Sequence, residues 1–126
     1  MKLLNIISTG YRATVEEQDD TTVWLSHALR NAGAEVDLLL RGTAVNYPLT
    51  GQAVRPATIG GRAQKHGADV HGQLLELRSK GSSLFVLEED VERRGLDPTR
   101  FAPGIELVAA SRLPELIGEY DLVWHW

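Results

Sequence analysis

Three short apolar runs limit what this chain can fold into more than any other feature: Leu3 to Ile7 around Asn5, Val36 to Leu40 around Asp37, and Leu84 to Leu87. Each is shorter than an ordinary helix and nearly unbroken, which is the pattern of a parallel strand covered on both faces. With two further runs they give five expected strands: Lys2–Ser8, Glu35–Leu40, Leu84–Leu87, Ile105–Val108 and Leu122–Trp124. Helical patterns alternate with them. Across Thr21–Ala32, the residues Leu25, Ala28, Leu29 and Ala32 recur at helical spacing, after Asp19 and Asp20 and before a stop at Gly33. Across Asp69–Lys80 the stripe is Val70, Leu74 and Leu77, ended by Gly81, and a short helix from Glu88 to Arg94 is ended by Gly95. Ser111 is placed to cap a last short helix that has Pro114 in its first turn. This alternation predicts a three-layer α/β/α fold with a five-stranded, mainly parallel sheet, as a single domain over residues 1–126.

Composition removes whole classes of function. At 126 residues with 43% apolar content, the chain can bury a core without disulfides or metal. Its formal net charge of −4 argues against a nucleic-acid partner. There is no cysteine, so a disulfide scaffold, a thiolate nucleophile and a cysteine metal site are all excluded. The start, Met1 to Ile7, is too short an apolar run for a signal peptide, and no run approaches a membrane span, so the expectation is a cytoplasmic protein with no membrane partner.

One segment departs from the pattern. From Arg41 to Ala68 there is no Asp or Glu, while Arg41, Arg55, Arg62 and Lys65 are all basic. Pro48, Pro56 and Gly60-Gly61 break up any long element there, leaving at most short helical pieces. Two readings stand: a loop that packs on an acidic neighbour or subunit, or a basic lid over an anionic ligand.

Ligands of open parallel sheets bind outside the carboxyl ends of the strands. The residues that follow the expected strands therefore make the candidate site: Ser8, Thr9, Gly10, Tyr11 and Arg12; Arg41 and Gly42, with Asn46 nearby; Glu88, Glu89 and Asp90; Ser111; and His125 with Trp126. Glu88-Glu89-Asp90 followed by Arg93-Arg94 also suits the two ends of a helix dipole, which is the plainer reading of those acids. Ser8-Thr9-Gly10 is not a dinucleotide fingerprint, and no Walker, HExxH or GxSxG sequence occurs, so no cofactor, metal or catalytic group is assigned. Strand alternation sends Trp124 and Trp126 to one face and His125 to the other, and paired indoles at a chain end suit a subunit contact.

The stretch Leu87-Glu88-Glu89-Asp90-Val91-Glu92-Arg93-Arg94-Gly95, followed by Pro103-Gly104-Ile105-Glu106-Leu107-Val108, resembles the DsrE/DsrF/DsrH family. The resemblance implies a compact α/β fold, assembly into trimers or hexamers, and intracellular sulfur relay through a persulfide on a cysteine at the end of the third strand. That place is held here by Leu87 or, in another spacing of the family, by Asp90. Persulfide chemistry needs a thiolate, which neither residue supplies. The expectation is a non-catalytic binding or scaffold subunit that partners itself and sulfur-relay proteins. One alternative is a module or enzyme that takes an anionic ligand at Thr9–Arg12, Arg41, Asn46, Glu88, Glu89 and His125; another is a metal-dependent protein using His125 with nearby carboxylates.

Overall fold

The computed structural model describes residues 1–126. Its elements run β1 (Lys2–Ile7), α1 (Thr14–Glu17), α2 (Thr21–Asn31), β2 (Glu35–Leu40), β3 (Thr58–Ile59), β4 (Arg62–Ala63), α3 (Val70–Ser79), β5 (Leu84–Leu87), α4 (Glu88–Arg93), β6 (Ile105–Val108), α5 (Leu113–Gly118) and β7 (Leu122–His125). The five expected strands pair in the order β6-β5-β2-β1-β7, every pair parallel. The order reverses between β1 and β7, so the topological switch point lies there.

Alternation along the central strands divides the core. On one face Leu3, Ile7, Val36, Leu38, Leu40, Leu84 and Val86 pack with Val23 of α2, Val70, Leu74 and Leu77 of α3, and Val91 of α4. On the other face Leu4, Ile6, Leu39 and Phe85 meet Val108, Leu113, Leu116 and Tyr120. Only α5 covers this second, smaller face, and β6 and β7 are open edges.

The polar residues inside these apolar runs are paired, as burial requires. Asn5 donates to Ser26 Oγ at 2.9 Å, and Ser26 donates to the Thr22 carbonyl. Asp37 accepts from the Ser83 N–H at 2.7 Å and from the Tyr120 hydroxyl at 2.6 Å. The Asn5 contact corrects the expected face of α2. Thr22, Val23 and Ser26 are buried and Leu29 packs on the core, whereas Ala28 and Ala32 are exposed. The helix turns its hydroxyl-bearing side inward because a buried amide needs a partner there. Asp20 caps this helix, accepting from Thr22 N–H at 2.9 Å and Val23 N–H at 3.1 Å. Ser111 is no cap: it lies within a 3₁₀ turn, Ala110–Arg112, and α5 starts without a side-chain cap.

The basic segment opens with a 3₁₀ turn, Gly42–Asn46, and then forms the hairpin β3–β4. Gly60 and Gly61 have φ of +57° and +77°, the left-handed pair that a two-residue hairpin turn requires. Tyr47 anchors the segment to the main core and is 1% exposed.

Candidate functional site

The hydrogen-bond ladder continues one residue past the named strands. Arg41 N–H donates to the Ile7 carbonyl at 2.9 Å, Trp126 N–H to the Ile6 carbonyl at 2.9 Å and Ser8 N–H to the Trp126 carbonyl at 3.1 Å. Partners in a parallel ladder share a face. From the register Ile7↔Leu40 and Leu40↔Val86, the next row on the α5 face is Ser8, Arg41 and Leu87. His125 pairs with Ile6 one row below. Its Nε2 lies 2.5 Å from Ser8 Oγ. A hydroxyl and an imidazole thus meet beside the switch point, where α/β sheets bind ligands, and Arg41 stands next to Ser8 in the same row of the sheet. The Arg41 side chain is half-buried and makes no hydrogen bond or ion pair within the chain.

The first loop is committed elsewhere. Gly10 N–H donates to Thr43 Oγ1 at 2.7 Å, and Tyr11 N–H donates to the Tyr47 hydroxyl at 2.6 Å. Tyr47 in turn donates to Asp20 Oδ2 at 2.7 Å, and the Tyr11 and Tyr47 rings meet edge to face at 4.9 Å. Burial raises the ionisation of both phenols above the ordinary tyrosine value, and for Tyr47 the neighbouring Asp20 carboxylate adds to it. Tyr11 and Ala13 have φ of +64° and +52°, so this fixed loop holds side chains in the left-handed region. Thr9 and Arg12 are exposed and line a shallow cavity of about 310 Å³ together with Glu17, Asp20 and Trp126.

The acids after β5 are structural in their contacts. Glu89 accepts from the Ala110 N–H with both oxygens, at 2.9 and 3.0 Å, and so holds the turn that follows β6. Asp90 is buried, accepts from Gly42 N–H at 2.6 Å and pairs with Arg93 at 3.1 Å. Leu87 is also buried. Glu88 is half-buried with no partner of its own in the chain, and Asn46 turns back on the Thr43 carbonyl at 3.0 Å. No group of three His, Asp or Glu is placed to hold a metal ion. Of the residues expected at the strand ends, then, His125 comes together with Ser8, and Arg41 occupies the same sheet face beside Ser8. Tyr11 and Asn46 belong to the packing of the basic segment, and Glu89 and Asp90 to the staples between turns. The Ser8–His125 contact was out of reach of the sequence because it depends on β7 returning beside β1.

No protein-family model matches the sequence, and no curated protein matches it. Solved structures do. The ychN protein from E. coli is 18% identical and superposes with a TM-score of 0.74 over 100% of both chains. A conserved protein of unknown function from Bacteroides thetaiotaomicron is 16% identical, with a TM-score of 0.67 over 99% of this chain and 95% of that one. A protein of unknown function from Methanobacterium thermoautotrophicum is 11% identical, with a TM-score of 0.65 over 99% of this chain and 98% of that one. At such identities the likeness is one of fold, and it runs end to end: this chain has the YchN-like α/β fold, the one its DsrE-like sequence pattern implies, and it carries no cysteine.

Proposed function

We infer that this chain is a non-catalytic subunit of DsrE-like type, which self-associates as a trimer or hexamer and acts as a binding or scaffold component beside intracellular sulfur-relay proteins. One observation carries the reading: β7 is an apolar open edge. Leu122, Val123 and Trp124 are 36–41% exposed, Trp126 beyond them is 44% exposed, and no strand pairs with the outer side of β7. Free backbone donors and acceptors next to two exposed indoles form a surface that another chain completes. The absent thiol and the structural use of Asp90 argue against sulfur carriage by the chain itself. Light scattering on a Trp124→Glu variant tests the reading. The wild type should scatter as an oligomer and the variant as a smaller species with an unchanged circular dichroism spectrum; equal masses for the two would refute it.

The partnerless Arg41 beside Ser8 and His125 favours a second reading, an anion held at the switch point. A guanidinium matches a carboxylate or phosphate fork, while a hydroxyl and an imidazole add donors. Calorimetry with small oxyanions tests it, and Arg41→Ala should weaken any binding seen with the wild type.

A further inference from the structure

At the other edge of the sheet, a hollow of about 320 Å³, apolar at its floor and acidic at its rim, lies between β6 and α5. Phe85, Val108 and Leu116 supply apolar lining, and Glu106, Glu115 and Glu119 supply the acids. The one cation there, Arg112, is already paired with Glu115 at 3.6 Å, so Glu106 and Glu119 have no cation in the chain. The hairpin β3–β4 has the opposite character. Ile59 is 49% exposed and pairs across the hairpin with Arg62, which puts an apolar group and a cation on one face. Arg55, Arg62 and Lys65 are all exposed, and none makes an ion pair within the chain. No acid neutralises them along the sequence from Arg41 to Ala68.

We propose that the β3–β4 hairpin of one copy docks in the β6–α5 hollow of the next. Ile59 covers the Phe85–Val108 floor, and Arg62 and Lys65 face Glu106 and Glu119. The open edge of β6 offers backbone groups to the incoming hairpin, the geometry of strand addition. Apolar meets apolar and each unpaired charge meets its opposite, so the two surfaces fit each other and neither fits itself. Such a contact is heterologous: every chain gives a hairpin and receives one, and identical steps make a ring when their rotation closes. It answers why the chain keeps a basic segment free of acids, and it is separate from the β7 edge, so either contact can fail alone.

Sedimentation velocity on three full-length variants tests this: Arg62→Glu with Lys65→Glu, Glu106→Lys with Glu119→Lys, and all four changes together. Each pair alone puts like charges across the contact and should lower the oligomer to a smaller species. The fourfold swap restores opposite charges and should recover the wild-type oligomer. The step lost should also be weakened at about 1 M salt, where screening acts within about 3 Å. A step lost in Trp124→Glu, by contrast, should persist in salt, which separates failure here from failure at β7. Pairwise variants that sediment like the wild type would overturn the proposal. So would a folded fourfold swap that stays dissociated like the pairs.

Discussion

The carboxylate of Asp90 accepts a 2.6 Å hydrogen bond from the backbone N–H of Gly42, tying the start of α4 to the turn that follows β2. Arg94 Nε donates to the carbonyl of the same glycine at 2.9 Å. Gly42 has φ of +57°, and a Cβ there would lie 2.1 Å from the Ser8 carbonyl oxygen, so the chain can pass β1 at this point only as glycine. One of the two places where the family resemblance puts a sulfur-bearing cysteine is thus occupied by a carboxylate that fastens two strand ends together.

Removing that fastening should destabilise the fold. Asp90→Ala leaves the Gly42 N–H without its charged acceptor and should cost about 1.5–3 kcal/mol in urea unfolding, the range for a hydrogen bond to a charged group. Gly42→Ala should cost at least as much, because it adds both a disfavoured left-handed φ and a clash with backbone. Unchanged midpoints would show that the staple contributes nothing.

The chain should accept no sulfur. Incubated with a cysteine desulfurase and a sulfur donor, it should keep its intact mass, since no side chain offers a thiolate. A stable adduct of one added sulfur in the mass spectrum would reveal a different nucleophile.

Alkaline pH should unfold this protein through its tyrosines. Burial, followed by the Asp37 carboxylate 2.6 Å away, raises the Tyr120 phenol above its ordinary 10.0, and burial raises Tyr11 and Tyr47 as well. A raised folded value means that the native state holds the proton more tightly than the unfolded chain does. The contribution is therefore complete below about pH 10 and is lost as pH rises toward the folded values. Unfolding free energy should fall across about pH 10–12, and phenolate absorbance should rise together with unfolding. Tyr120→Phe should be less stable at neutral pH by roughly 1–2 kcal/mol, yet lose less on going alkaline.

If the switch point holds an oxyanion, Arg41→Ala should weaken its binding by roughly 1.5–3 kcal/mol, the value of a charge-assisted hydrogen bond. His125→Ala should have the smaller effect, because an imidazole offers a single donor where a guanidinium offers a fork. Equal affinity in all three proteins would move the site elsewhere.

Much of this architecture is legible in the sequence because the strands announce themselves. Leu84–Leu87 is apolar at every position and buried at every position. What escapes is what depends on a partner distant in sequence. The inward side of α2 follows from Asn5, which needs Ser26, whereas helical apolar spacing alone keeps Leu29 on the core but wrongly adds Ala28 and Ala32. Gly60-Gly61 reads as loop punctuation, although two such residues in sequence are also the signature of the hairpin turn they form. The site is harder still. Ser8 and His125 are 117 residues apart and meet only because the last strand crosses to the far side of the first.

Sedimentation equilibrium of the wild type at micromolar concentration tests the central claim most directly. If, as proposed, the exposed indoles of Trp124 and Trp126 near the open β7 edge are covered by a partner chain, the mass should be three or six times the 13.9 kDa of one chain. A species of 13.9 kDa alone, unchanged as concentration rises, would contradict the account.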